Sequence, residues 1–82
     1  MDRQAAEALA RGRAEACDNR AGKERELARR ARGEAQVAQE AGRRADLERL
    51  ALVHDNAVVL QTQAAAYYRG LADRIAAGMV VT

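Results

Sequence analysis

At 82 residues the chain has room for one small domain, too little for a sizeable core without an oligomer or another partner to support it. Proline, phenylalanine, tryptophan and serine are absent, and the bulk is Ala, Arg, Glu, Leu and Val, the helix-forming mixture of long helices and coiled coils. Fourteen basic against twelve acidic residues leave a formal charge of +2, which excludes a strongly basic or acidic domain, and the 49% hydrophobic content overstates the core because much of it is alanine.

The first part, residues 1–45, reads as an Ala/Arg/Glu-rich helical arm. Small residues recur there at alternating steps of four and three: Ala10, Ala14, Cys17, Ala21, then Ala28, Ala31, Ala35, Ala38, Gly42 and Ala45, with Glu24 as the one break. That spacing is a heptad seam, the stripe along which one helix meets another. Large apolar residues are few, limited after Met1 to Leu9, Leu27 and Val37. Charges alternate in sign at four-residue steps through Arg3, Glu7, Arg11 and Glu15, through Glu26, Arg30 and Glu34, and through Glu40, Arg44 and Glu48. Such ladders support an exposed helix by roughly a few tenths of a kcal/mol per pair. Gly12, Gly22, Gly33 and Gly42 oppose it, each costing about 0.8–1 kcal/mol relative to alanine.

The second part, residues 46–79, predicts a helix apolar on two faces, with residues 80–82 as a tail. Leu50, Val53, Ala57, Leu60, Ala64, Tyr67 and Leu71 follow three-four steps, and Ile75 and Met79 come after them one helical turn apart. A second apolar row contains Ala51, Leu52, Val58, Val59, Ala65, Ala66 and Ala72. Two apolar faces call for two neighbours, and the simplest arrangement supplies one from the same chain and one from another.

The two seams are out of phase, so the register resets near residues 42–50. A turn there would use Gly42 to end one helix and Asp46 to cap the next, with Arg43 and Arg44 near the first helix's C-terminus. The alternative is one continuous helix with a stutter, because the ladder through Glu40, Arg44 and Glu48 crosses the proposed turn. A further break at Asp18, Asn19, Arg20, Ala21 and Gly22 would give three helices. The fold class is therefore all-α: a helical hairpin or long-helix coiled coil, in one domain, assembling into a helical bundle.

Chemistry-bearing motifs are sparse. His54 and Asp55 are neighbours about 100° apart on a helix and make no base-orienter pair. One cysteine and one histidine give no structural zinc site within the chain, and no glycine falls in a phosphate-binding loop. The expectation is a non-enzymatic protein without cofactor or metal. Cys17 reads as a small seam residue, with an interchain disulfide as the alternative. No apolar run reaches the length of a membrane span, since Gln61, Thr62 and Gln63 interrupt the most apolar stretch, and the N-terminus lacks a signal-peptide core. A cytoplasmic location, or one within a virus particle, follows as an expectation.

The expected function is a protein-protein interaction module, an assembly component, adaptor or small inhibitor of a larger protein, that self-associates through its seams. Partner-binding residues would be Leu50, Val53, Leu60, Tyr67, Tyr68, Leu71 and Ile75, with the region from Tyr67 to Ile75 as the energetic centre. One alternative is a dimeric nucleic-acid-binding protein using the arginines of the first half, where Arg29, Arg30 and Arg32 and then Arg43, Arg44 and Arg49 cluster but are interleaved with glutamates. Another is a structural component of a virus or phage particle.

Overall fold

A computed structural model describes residues 2–79. Two antiparallel α-helices, α1 (Arg3–Val37) and α2 (Ala41–Ala76), form a hairpin with extents of 58 × 15 × 14 Å. Its length is that of the helices themselves, since 36 residues at about 1.5 Å each make about 54 Å. Among the described residues no helix is long and apolar enough to cross a membrane.

Asp2 starts α1 by accepting the Ala5 backbone N–H on its carboxylate at 2.7 Å, as an N-cap should. The helix then runs unbroken through Asp18, Asn19 and Gly22, so the three-helix reading fails. Helix formers on either side hold that stretch, and Asp18 is engaged across the hairpin by Arg69.

The turn lies earlier than Gly42 and Asp46 suggest. It occupies residues 38–40, with Ala38 and Glu40 extended and no residue in the left-handed region, so it needs no glycine. Arg44 donates from its guanidinium to the Ala38 carbonyl at 2.7 Å, satisfying an acceptor freed where α1 ends, and Arg43 reaches Glu34 at 3.7 Å. Gly42 sits in the first turn of α2, and Asp46 lies within the helix, bonded to Arg49. The Glu40, Arg44 and Glu48 ladder therefore crosses no break, because the helix begins beneath it.

The far end of α2 uses the glycine signal that the turn does not. Gly78 takes φ +74°, its N–H donates to the Ile75 carbonyl at 3.0 Å, and the Met79 N–H donates to the Arg74 carbonyl at 2.8 Å. That pair of bonds is a Schellman stop.

The helices meet along small residues. On α1 the buried positions are Ala10, Ala14, Cys17, Ala21, Ala28, Ala31 and Ala35, which follow the expected four-three spacing. The last three members of that series leave the seam because α1 ends first: Ala38 lies in the turn, and Gly42 and Ala45 lie in α2. On α2 they are Leu47, Ala51, Ala65, Ala72 and Ile75, and the half-buried His54, Val58, Gln61 and Tyr68 complete the same heptad row. Among the described residues, only Leu47 and Ile75 of the buried hydrophobics are larger than cysteine. Alanine facing alanine lets helix axes approach to about 8 Å, so the contact is close but removes little apolar area from water.

Candidate functional site

Within the hairpin, α2 presents to α1 the row that begins at Leu47 and Ala51. The bulkier row, Leu50, Val53, Ala57, Leu60, Ala64, Tyr67 and Leu71, is rotated from that seam by about a quarter turn, since each member lies one residue before a seam position, and at its far end Leu71 still packs against Ala10, Ala72 and Ile75. Its large members stand in solvent: Leu50 is 45% exposed, Val53 61%, Leu60 65% and Tyr67 60%. The seven residues expected to bind a partner thus divide. Leu50, Val53, Leu60 and Tyr67 form an outward face, Tyr68 and Leu71 are half-buried at its margin, and Ile75 is buried against Ala10 and Ala72 in the hairpin's own contact. Leu52 and Val59 are also exposed, separated from Val53 and Leu60 around the helix by the uncharged Asn56 and Gln63.

The two edges of the hairpin differ in chemistry. Along one edge Arg32 forks onto Asp55, Arg69 bonds Asp18, and Arg11 reaches Asp73 at 3.2 Å. Arg11, Asp18 and Arg32 are separated on α1 by multiples of a heptad, as are Asp55 and Arg69 on α2, so these ion pairs share one side and close it with polar groups. The opposite edge of α2 carries Leu50, Ala57, Ala64 and Leu71. Near the open end of the hairpin that edge continues into a shallow groove of about 170 Å³ lined by Ala6, Leu9, Arg13, Tyr68, Leu71 and Ile75, among others. Arg13 lies over the Tyr68 ring at 5.9 Å, and Tyr68 meets Tyr67 edge to face with centroids 5.4 Å apart.

Several arginines of the first half are engaged with carboxylates, whereas Arg3, Arg13, Arg20 and Arg25 are exposed and make no ion pair among the described residues. Glu26 accepts from both Arg29 and Arg30, Glu7 from Arg11, and Asp55 from Arg32. Hydrogen bonding by Arg29 holds the Glu26 carboxyl below its ordinary range, and Arg32 does the same for Asp55. Arg25, Arg29 and Arg32 border a shallow depression near the turn, with Asp55 among its lining residues.

Comparison with family models, curated proteins and solved structures returns no match. What the chain does has to be read from its own surface.

Among the described residues no three His, Cys, Asp or Glu side chains converge as a metal site. Cys17 is buried on the inner seam, where α2 covers it, so its thiol faces the hairpin contact and not a neighbouring molecule. The outward apolar face is present in the sequence as the stronger of two rows. What the sequence does not reveal is that the weaker row makes the hairpin and leaves the stronger one uncovered.

Proposed function

We propose that the protein is a non-enzymatic helical interaction module, acting as an assembly component, adaptor or small inhibitor, and that the outer face of α2 is its protein-contact surface. The observation that supports this most directly is the exposure of Leu50, Val53, Leu60 and Tyr67 on one face while the hairpin closes on alanines. A folded chain that keeps its larger side chains in water gains by covering them, at roughly 25 cal/mol per Å² of apolar surface buried. The stretch 50–67 contains Asp55 as its sole acidic residue and no arginine or lysine, and Asp55 is turned toward Arg32. Such a face suits another apolar helix better than a phosphate backbone.

Hydroxyl-radical footprinting tests this in the full chain. Leu60 and Tyr67 should be strongly modified in dilute purified protein and several-fold protected in extract of the native host, with nuclease treatment making no difference. Strong modification in both settings would remove the reading, and protection abolished by nuclease would replace it with nucleic-acid binding.

A further inference from the structure

We infer that the occupant of this face is a second copy of the chain, packed antiparallel, α2 against α2, with a two-fold axis near Leu60. This rests on the protein-contact reading above and specifies its partner.

The face is laid out symmetrically about its centre. In one row Leu50 and Leu71 stand at equal distances from the midpoint between residues 60 and 61, as do Ala57 and Ala64. In the other row Val53 and Tyr67 flank Leu60 at equal distances. A two-fold axis through the middle of such a strip lays large residues over the far end's large residues and keeps the whole length in contact, as an isologous interface requires. The centre is built to receive a side chain. Ala57, Leu60, Gln61 and Ala64 have the spacing of a four-residue hole, and the two alanines leave room there for the partner's Leu60 as a knob.

Charge at the ends selects the direction. Continuing the Val53, Leu60, Tyr67 row by one heptad each way reaches Asp46 and Arg74, both exposed and equidistant from Leu60. Antiparallel copies bring Asp46 of each toward the partner's Arg74, whereas parallel copies would set Asp46 against the partner's Asp46 and Arg74 against the partner's Arg74. Arg49 also bonds Asp46, so the effect on affinity is modest and its value lies in orientation. Between these ends the strip carries no charge to be desolvated, which is the condition for a self-complementary apolar contact. The polar edge lies around the helix from this strip, away from the contact, and each α1 remains on the outside of a four-helix bundle.

Light scattering on the full chain should give twice the 8.9 kDa protomer mass. Leu60→Glu should weaken association by at least roughly 30-fold while leaving helicity unchanged, because Leu60 makes no contribution to the buried seam. Asp46→Arg alone should weaken it by about two- to five-fold, and adding Arg74→Asp should restore it. For direction, Val53→Cys and Tyr67→Cys chains, each with Cys17→Ala, are mixed and oxidised. The mixed disulfide should exceed the Val53→Cys homodisulfide. Predominance of that homodisulfide would overturn the antiparallel arrangement, and a protomer mass for the unmodified protein at high concentration would overturn self-pairing altogether. If the mass is that of a protomer and Leu60 and Tyr67 are nevertheless protected in extract, self-pairing fails and the protein-contact reading stands. Without either signal both fail.

Discussion

His54 Nδ1 donates to the Glu24 carboxylate over 2.5 Å, joining the one acidic interruption of the α1 alanine seam to the one histidine of the chain. Both side chains are largely withdrawn from solvent, at 20% and 28% exposure. The residue that breaks the alanine pattern therefore has a specific partner on α2. A polar pair at a single layer of a helix-helix contact penalises every register that separates its members. In a seam made mostly of alanine, where one layer looks much like the next, that discrimination matters more than the energy of the bond.

Glu24→Ala should accordingly cost about 1 kcal/mol, because His54 is left half-buried without its acceptor. Adding His54→Leu should return much of that loss, since removing both partners leaves an apolar layer. Urea unfolding of the two single variants and the double variant measures the coupling. Losses that simply add would show that the two residues do not act as a pair.

The α1 seam is legible in the sequence because small residues at heptad spacing have few other uses in an otherwise charged helix, and the hairpin is legible from the clash of phase between two rows. The position of the turn is not. Residues 38–40 are Ala, Gln and Glu, none a turn former, and the connection holds through Arg44 binding the Ala38 carbonyl, a contact between groups six residues apart that has no local signature. The inner row of α2 is likewise masked in the sequence by the bulkier one. Bulk is a poor guide here because two alanine stripes pack closely only against each other, which leaves the larger side chains to the outside. The interhelix pairs Arg32 with Asp55 and Arg69 with Asp18 become visible only once the register is known.

Gly12, Gly22 and Gly33 lie inside α1 with nothing within 4 Å of where a Cβ would stand. Each can become alanine without collision and with less conformational entropy lost on folding. Each substitution should stabilise the hairpin by about 0.8–1 kcal/mol, and the triple variant should show nearly the sum because the sites are far apart. Thermal unfolding followed by circular dichroism checks this, and an unchanged midpoint would mean that α1 is not helical at those positions. Gly78→Ala should act in the opposite direction, because φ +74° at that stop strains any residue with a Cβ.

Asp55 connects pH to the hairpin contact. Its carboxyl is held below the ordinary value of 3.8 chiefly by hydrogen bonds from Arg32, one of them 3.2 Å long. A folded-state pKa below the unfolded one gives stabilisation that is complete above the unfolded value and is lost as pH falls through the folded one. Melting midpoints should therefore hold from neutrality to about pH 5 and drop below it as carboxylates protonate. Asp55→Asn should lower the midpoint near neutrality and make the acid decline shallower. A decline of equal steepness in both proteins would show that this pair carries none of the linkage.

Ala65 and Ala72 are completely buried, at 0% exposure, on the inner seam of α2. Neither can be enlarged without moving a backbone, since the facing side chains on α1 are themselves alanines and Cys17. Ala65→Leu should thus destabilise the hairpin by about 1–3 kcal/mol despite adding apolar surface, because the extra side chain must push the helices apart along the seam. Ala66→Leu is the control. One residue further on, that side chain points to solvent, and leucine there is as good a helix former as the position requires, so its stability should change by less than about 0.5 kcal/mol. If the two substitutions cost the same, the alanine rows are not the packed seam. If Ala65→Leu stabilises the chain, the helices are far enough apart to accept a larger core, and their close approach is not what the small residues provide.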